Sequence, residues 1–318
     1  MNAIKLSKRR KEVLKHSSAV QITNSITLLQ RRAWNILLAK AYDDFDTTDR
    51  YQIRVRELVE MLDYKSHDDS HLKEALEKLT TTAVKWNILG KDKSCEWGVF
   101  PLLSGAVIRQ GVLTYAFSPL LKERLHNPRM YARISLSLQN KFQSKHALAL
   151  YELCLDYFDL ERNYGETPFI PITEFRELMG VGEEEYPTFA RLNDKVIKRA
   201  VEEINELSDL VVNVKHQRSK RKVEELKFCV FRKTELTLPF ASAEEPQASE
   251  FDVAFERLSA EQQQRIIQEA YSLLPDFVKQ YDGSELGVAD KVIKPLLLQK
   301  RNELLKRMMQ SHHNHKET

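Results

Sequence analysis

The chain has 318 residues, 42% of them hydrophobic and 30% charged, as expected of an ordinary soluble globular protein of two or three domains. Residues 1–135 carry 23 Lys+Arg against 15 Asp+Glu, residues 136–240 carry 16 against 18, and residues 241–318 carry 10 against 13. This excludes binding of a polyanion by the C-terminal half through bulk charge and leaves only a segregated cationic face.

No run approaches the ~20 apolar residues of a membrane span. The basic N-terminus (Lys5, Lys8, Arg9, Arg10, Lys11, Lys15) is not followed by the apolar core of a signal peptide. Cys95, Cys154 and Cys229 are far apart and form no metal-ligand pair, so they read as buried thiols in a reducing cytoplasm.

In chain order, residues 1–16 form a basic arm. A helix follows at Ser25–Tyr42 with Leu28, Leu29, Ala33, Trp34, Leu37, Leu38 and Ala41 on one face. The acidic loop Asp43–Asp49 ends it. A strand at Tyr51–Val55, a short helix at Arg56–Leu62, a turn at Ser66–Asp69 and a helix from Ser70 to about Thr81 come next. Ala83–Ile88 and Glu96–Leu103 read as a hairpin across residues 90–94, the first wing. Tyr115–Leu125 and Tyr131–Leu138 form a connector.

The same order then repeats. Lys145–Tyr157 is a helix, Phe169–Ile172 a strand, and Thr173 caps a helix to Met179 that Gly180 ends. Phe189–Leu207 is amphipathic, Leu210–Val214 is a strand, residues 215–222 form a cationic tip, and Val223–Phe231 is a strand. Residues 238–250 read as a linker. Ser259 to Gln262 is a capping box opening a helix to about Leu274, and Lys291–Met309 is another helix.

The predicted fold is therefore α+β and mainly helical: two tandem winged-helix domains with small antiparallel β-wings, plus a short helical C-terminal appendage. The divisions are a basic N-terminal arm (1–16), domain 1 with its connector (17–134), domain 2 (135–237), a linker (238–250) and a helical tail (251–318).

Residues 188–231 carry the chemistry. Opposite Phe189, Leu192, Val196, Ala200, Val201, Ile204 and Leu207 lies a cationic stripe of Arg191, Lys195, Lys198 and Arg199. Its N-terminal half is basic, while Glu202, Glu203 and Glu206 follow. Recognition helices present their N-terminal residues to base edges, so this polarity suits a major groove. Lys215, Arg218, Lys220, Arg221 and Lys222 would grip phosphate from the wing. The equivalent helix of domain 1 mixes Asp68, Asp69, Glu74 and Glu77 with Lys73 and Lys78. That module is expected to touch DNA more weakly, through Arg9, Arg10, Lys11, Arg54 and Lys93, and to self-associate.

No phosphate-binding loop, metalloprotease motif or nucleophile elbow occurs, and Gly180-Val181-Gly182 lacks the rest of a dinucleotide fingerprint. His312, His313 and His315 lie in a polar tail without strand context, and the acidic clusters 43–49 and 183–185 fall in loops. The expectation is no catalytic residue, no metal, no cofactor and no enzyme activity.

The chain resembles the tandem winged-helix plasmid replication initiators of the Rep_3 type. The resemblance rests on Tyr115–Leu120, Ser144–Leu153, Phe175–Val181, Tyr186 and Lys195–Asn205, and extends from about Ser17 to Arg232. It implies binding to origin direct repeats (iterons) in double-stranded DNA, melting of an adjacent AT-rich segment, and recruitment of a host replication initiator and helicase. It also implies a monomer–dimer equilibrium in which the homodimer represses its own gene at an inverted repeat, in a bacterial cytoplasm. Residues after Leu238 match no motif of that family. The rival reading is a winged-helix transcriptional regulator without initiator activity; a nuclease and a protein-binding scaffold are more distant.

Overall fold

The computed structural model describes residues 10–64, 70–93, 98–125, 131–220, 222–233 and 254–273, and residues 297–307 except 299 and 303. The chain divides into two units, Met1–Arg232 and Lys233–Thr318. Among the described residues no helix is long and apolar enough to cross a membrane.

In the first unit, β1 (Glu12–His16) and α1 (Ser17–Val20) lead into α2 (Leu28–Ala41). Thr27 and Gln30 form a reciprocal capping box, which starts α2 three residues after Ser25. β2 (Tyr51–Arg54), α3 (Val55–Met61) and α4 (Ser70–Thr81) follow, then β3 (Ala83–Lys85), β4 (Val99–Pro101), β5 (Gly105–Arg109) and β6 (Val112–Ala116). α5 (Pro119–Leu125) begins where Ser118 accepts a hydrogen bond from the Leu121 amide. β7 (Tyr131–Ser135) and α6 (Leu136–Gln139) complete the connector.

The second module comprises α7 (Lys145–Tyr157), β8 (Phe158–Asp159), β9 (Tyr164–Glu166), β10 (Ile170–Pro171) and α8 (Ile172–Met179). A continuous helix follows from α9 (Phe189–Leu192) through one π turn at Asn193–Ile197 into α10 (Lys198–Leu207). The hairpin β11 (Leu210–Ser219) and β12 (Lys222–Arg232) ends the unit.

Both modules share a three-strand pattern, which β9 and β8 extend in the second. β6 lies between β2 and β5, and β12 lies between β10 and β11, all antiparallel. The repeat read along the chain is thus a repeat of topology, two winged helices in series.

Three expectations need correction. The wing of the first module is the β5–β6 hairpin, turned at Gln110 (φ 50°) and Gly111 (φ 74°), and not residues 90–94. β3 and β4 do pair, but as a separate two-stranded ribbon inserted before the wing. The positive φ at two successive residues is what a two-residue hairpin turn requires, and Gln-Gly at 110–111 supplies it.

Second, residues 12–16 are not an arm. They form β1, which pairs along its whole length with β7. Third, Thr173 is not the cap of α8; that place belongs to Pro171, without a side-chain bond. The Ser66–Asp69 turn, Cys95, Asp68, Asp69, the 238–250 linker and the terminal histidines lie outside the described residues.

One apolar core runs through both modules, from Val13 to Val230. The polar contacts across the joint are equally buried. Glu152 on α7 receives Lys15 of β1 at 2.6 Å, Asn35 of α2 at 2.7 Å and the Arg31 guanidinium of α2. All four side chains are sealed from solvent. Asp156, one turn on, accepts Gln21 at 2.9 Å, pairs with Lys91 at 3.0 Å and receives the Ser17 hydroxyl.

The segment 21–27 is backbone-bonded to both sides: the Thr23 amide donates to Lys85 and the Asn24 amide to Glu177. Gly180 ends α8 in the left-handed region (φ 63°). A β-carbon there would stand 1.8 Å from the Asn24 carbonyl oxygen, so only glycine lets the modules close together.

The second unit contains α11 (Ala260–Ser272), started by the Ser259–Gln262 capping box. Helical residues at 297–298, 300–302 and 304–307 also belong to it. Ile266, Ala270, Leu304 and Leu305 form its small core, with Phe255, Leu258 and Leu297 against it. Arg301 lies over the Phe255 ring at 4.8 Å.

Candidate nucleic-acid interface

The helix Phe189–Leu207 starts where the Thr188 hydroxyl accepts the Arg191 amide. Leu192, Val196, Ile197, Ala200 and Ile204 face the core, which leaves Arg191, Lys195, Lys198 and Arg199 all exposed on the opposite side. The stripe predicted from spacing is therefore brought together on one surface. Asp194 was not part of that reading, yet it stands within this surface and pairs with Lys195 at 3.1 Å. The π turn at 193–197 widens the helix where these two residues sit. Such insertions recur at functional positions.

The wing is a long ribbon. β11 and β12 pair from Leu210↔Arg232 to Ser219↔Lys222, with a bulge between Gln217 and Arg218. Arg218, Lys220 and Lys222 are exposed at its end, and Lys220 takes a positive φ of 55° in the turn. Arg221 lies outside the described residues.

Lys215 is a correction. It is half-buried in the ribbon, five residues and about 17 Å of strand from the turn. There it pairs in register with Lys227, which bonds Glu166 at 3.1 Å and covers the Phe169 ring at 4.7 Å. The Tyr164 hydroxyl and these two lysines hold the Glu166 carboxyl below its ordinary value. Lys215 thus serves the back of the sheet and not the tip.

Helix and wing are fastened to each other at both ends. Phe189 meets His216 edge to face at 5.3 Å. Burial, with Arg218 nearby, lowers the His216 pKa, so the ring stays neutral at physiological pH and adds no charge to the wing. At the far end, Asn205 accepts the Val212 amide at 2.7 Å and donates to its carbonyl at 3.1 Å. Glu203, one of the acids read as pointing away from phosphate, accepts the Gln143 and Ser144 amides at the start of α7.

Arg176 of α8 sets the approach of the helix. Its guanidinium donates to the carbonyls of Gly182 (2.9 Å), Glu185 (2.8 Å) and Tyr186 (2.6 Å). Tyr186 is held at φ 53°, a conformation bulky residues rarely adopt, two residues before the Thr188 cap. Arg176, Glu203 and Asn205 were missed as positioning residues because each looks like a surface polar residue until its partners, 6 to 60 residues away in sequence, are in place.

In the first module, Arg54 and Arg109 lie in register on either side of Val112, on one face of the sheet beside the wing turn, and both are exposed. Arg109 escaped the sequence reading because the wing had been placed at 90–94. Lys93 is exposed in the insertion between β3 and β4, away from that hairpin in sequence and pairing.

Arg9 lies outside the described residues; Lys11 is exposed, its carbonyl accepting the Leu136 amide. Arg10 is committed elsewhere: it forks onto Asp43, which raises its pKa, and lies over Tyr42 at 4.8 Å. α4 exposes two cations, Lys73 and Lys78, and two carboxylates, Glu74 and Glu77. Of the acidic loop, Asp43 and Asp49 have cation partners in Arg10 and Lys122.

The fold is similar to that of the Pi initiator protein, solved in complex with iteron DNA: TM-score 0.55, 16% identity, covering 71% of this chain and 99% of that one. Domains 2 and 3 of RctB align with a TM-score of 0.37 and 12% identity over 73% of this chain and 95% of that one. No curated protein matches in sequence. Two family models do: the initiator replication protein WH1 region over residues 12–155, and the WH2 region of the initiator Rep proteins over residues 171–230. Two winged helices in series, with the sheet order and cationic surface described above, thus coincide with both regions of one family, and the chain belongs to the Rep3 family of initiator replication proteins.

Proposed function

We propose that this chain initiates plasmid replication by binding direct repeats of an origin through the surface formed by Arg191, Lys195, Lys198 and Arg199, with Arg218, Lys220 and Lys222 on flanking phosphates. One observation carries this reading. The cationic face lies on a helix locked to its wing, and that module shares a continuous buried core with a second winged helix. Two such modules, rigidly joined, suit successive major grooves about 10–10.5 bp apart on one face of DNA. Arg54 and Arg109 at the first wing add a weaker phosphate contact. The Pi initiator, of similar fold, was solved on iteron DNA, which supports the same class of target here.

Melting needs no catalytic side chain. Several chains bound in tandem bend and strain the duplex, and their added contacts offset the deformation. Host initiator and helicase are then recruited to the opened segment, and the protein acts as a DNA-binding factor without enzyme activity.

Self-association fits the first module. Among the described residues β5 is an edge strand, with Val107 65% and Ile108 38% exposed, beside a groove lined by Lys73, Leu76, Glu77, Thr80, Ala106 and Ile108. An exposed apolar edge strand is a template for pairing with a second copy.

Footprinting on the DNA flanking the gene tests the proposal. Protection of tandem direct repeats by monomers is the expected result, with a dimer on any inverted repeat that a Val107→Lys change disperses. Protection of a lone palindrome only would replace initiation by transcriptional regulation, and a nick in supercoiled origin DNA would revive the nuclease.

A further inference from the structure

Asp194 is the only carboxylate between Thr188 and Val201, and it stands on the face whose other exposed charges are Arg191, Lys195, Lys198 and Arg199. Its side chain is 61% exposed and Lys195 is 47% exposed, so the pair points into solvent and not into the core. The hydrogen bond from Lys195, together with the charges of Lys195, Arg199 and Lys198, lowers the Asp194 pKa, so the group is a carboxylate at neutral pH.

A carboxylate facing DNA is repelled by every phosphate, and the groove gives it few partners. The favourable one is an exocyclic amino group, chiefly cytosine N4 in the major groove. Lys195 is its complement, a donor suited to guanine O6 or N7. The spacing also agrees. Asp194 Oδ2 and Lys195 Nζ are 3.1 Å apart. Across a G·C pair, guanine O6 and cytosine N4 are joined by a hydrogen bond of about 2.9 Å. An acceptor–donor couple on the protein thus matches a donor–acceptor couple on the base-pair edge.

We propose that Asp194 and Lys195 together read one G·C pair of the target, Asp194 accepting from cytosine N4 and Lys195 donating to guanine. The inference rests on the reading of this helix as the DNA reader and deepens it. Asp194 is a specificity-determining residue: it weakens attraction to unrelated DNA by its charge and recovers binding only where an amino group meets it.

The test is selection from a random duplex library by the full chain at one salt concentration, followed by binding measurements on the selected duplex and its single-pair variants. With Asp194→Ala, discrimination at one G·C position should fall about tenfold while other positions keep theirs, and affinity for unrelated duplex should rise. Asp194→Asn should shift that position towards adenine, whose N6 and N7 an amide can bracket. If Asp194→Ala tightens all duplexes alike and leaves every position's preference intact, the residue only tunes charge and the proposal is wrong. A different failure marks the underlying reading: an Arg191→Ala and Lys198→Ala double variant that selects the same sequence with the same affinity would remove this helix from DNA recognition altogether, and the Asp194 proposal with it.

Discussion

A Glu152→Gln variant is expected to lose about 3–5 kcal/mol of folding stability, because it leaves Lys15 and Arg31 buried without their shared counter-charge. The amide keeps the size and some hydrogen bonds of the carboxylate, so the loss isolates the charge. Urea unfolding of the full chain, followed through Trp34 and Trp86, would measure it. A change below about 1 kcal/mol would mean that water reaches the cluster and screens it.

The pH dependence has a definite sign. Burial raises the Glu152 pKa, but the Arg31 and Lys15 charges and the bonds from Lys15 and Asn35 outweigh it and leave the carboxyl below its ordinary value. Its contribution is therefore full above the unfolded pKa and lost as pH falls through the lower folded value. Lys15 adds a second window of the same sign at higher pH: burial lowers its ammonium from 10.5 to about 8. Between those values the unfolded chain binds more protons, so stability should rise with pH across that window.

Replacing Arg191 and Lys198 together with alanine should lower affinity for the specific repeat about 100-fold and bring it close to the affinity for unrelated DNA. Lys220→Ala and Lys222→Ala should behave differently, weakening all sequences alike and each reducing the slope of log affinity against log salt by about one. If the intact protein neutralises about 6–10 phosphates, affinity should fall about 10³–10⁵-fold between 50 and 200 mM salt. Fluorescence anisotropy on specific and scrambled duplexes separates these outcomes. A specific-to-scrambled ratio that the helix variant leaves unchanged would move base reading to another element, with the first-module wing at Arg54 and Arg109 the next to examine.

Much of this site was legible in the sequence because its signals are local. A stripe at helical spacing needs only 3.6 residues per turn to become a face, and Arg191, Lys195, Lys198 and Arg199 lie on that face. The cationic turn between two strands rich in valine implied a ribbon, and the ribbon ends in Arg218, Lys220 and Lys222. Lys215 was misplaced because composition marks a tip without saying how long the strands beneath it are. Ten residues of β11 pair with β12, so the charge at 215 falls well short of the turn.

The first wing failed for a related reason. Two hairpins, 83–101 and 105–116, compete in the sequence, and which one joins the three-stranded sheet depends on pairing with β2. Buried charge was hidden altogether. Lys15 and Arg31 look like solvated side chains of a basic arm and a helix surface. They are enclosed because α7, more than a hundred residues later, brings Glu152 against them.

By itself the sequence determined two winged helices in series, the order of their elements and the cationic face of the second, since helix period, caps and turn residues act within a few positions. Only the tertiary structure decided that both modules share one core, that Arg176 and Asn205 hold the cationic helix and its wing in place, and that residues 12–16 are a strand. Those outcomes depend on contacts between distant residues, and burial then changes what a lysine, an arginine or a glutamate does.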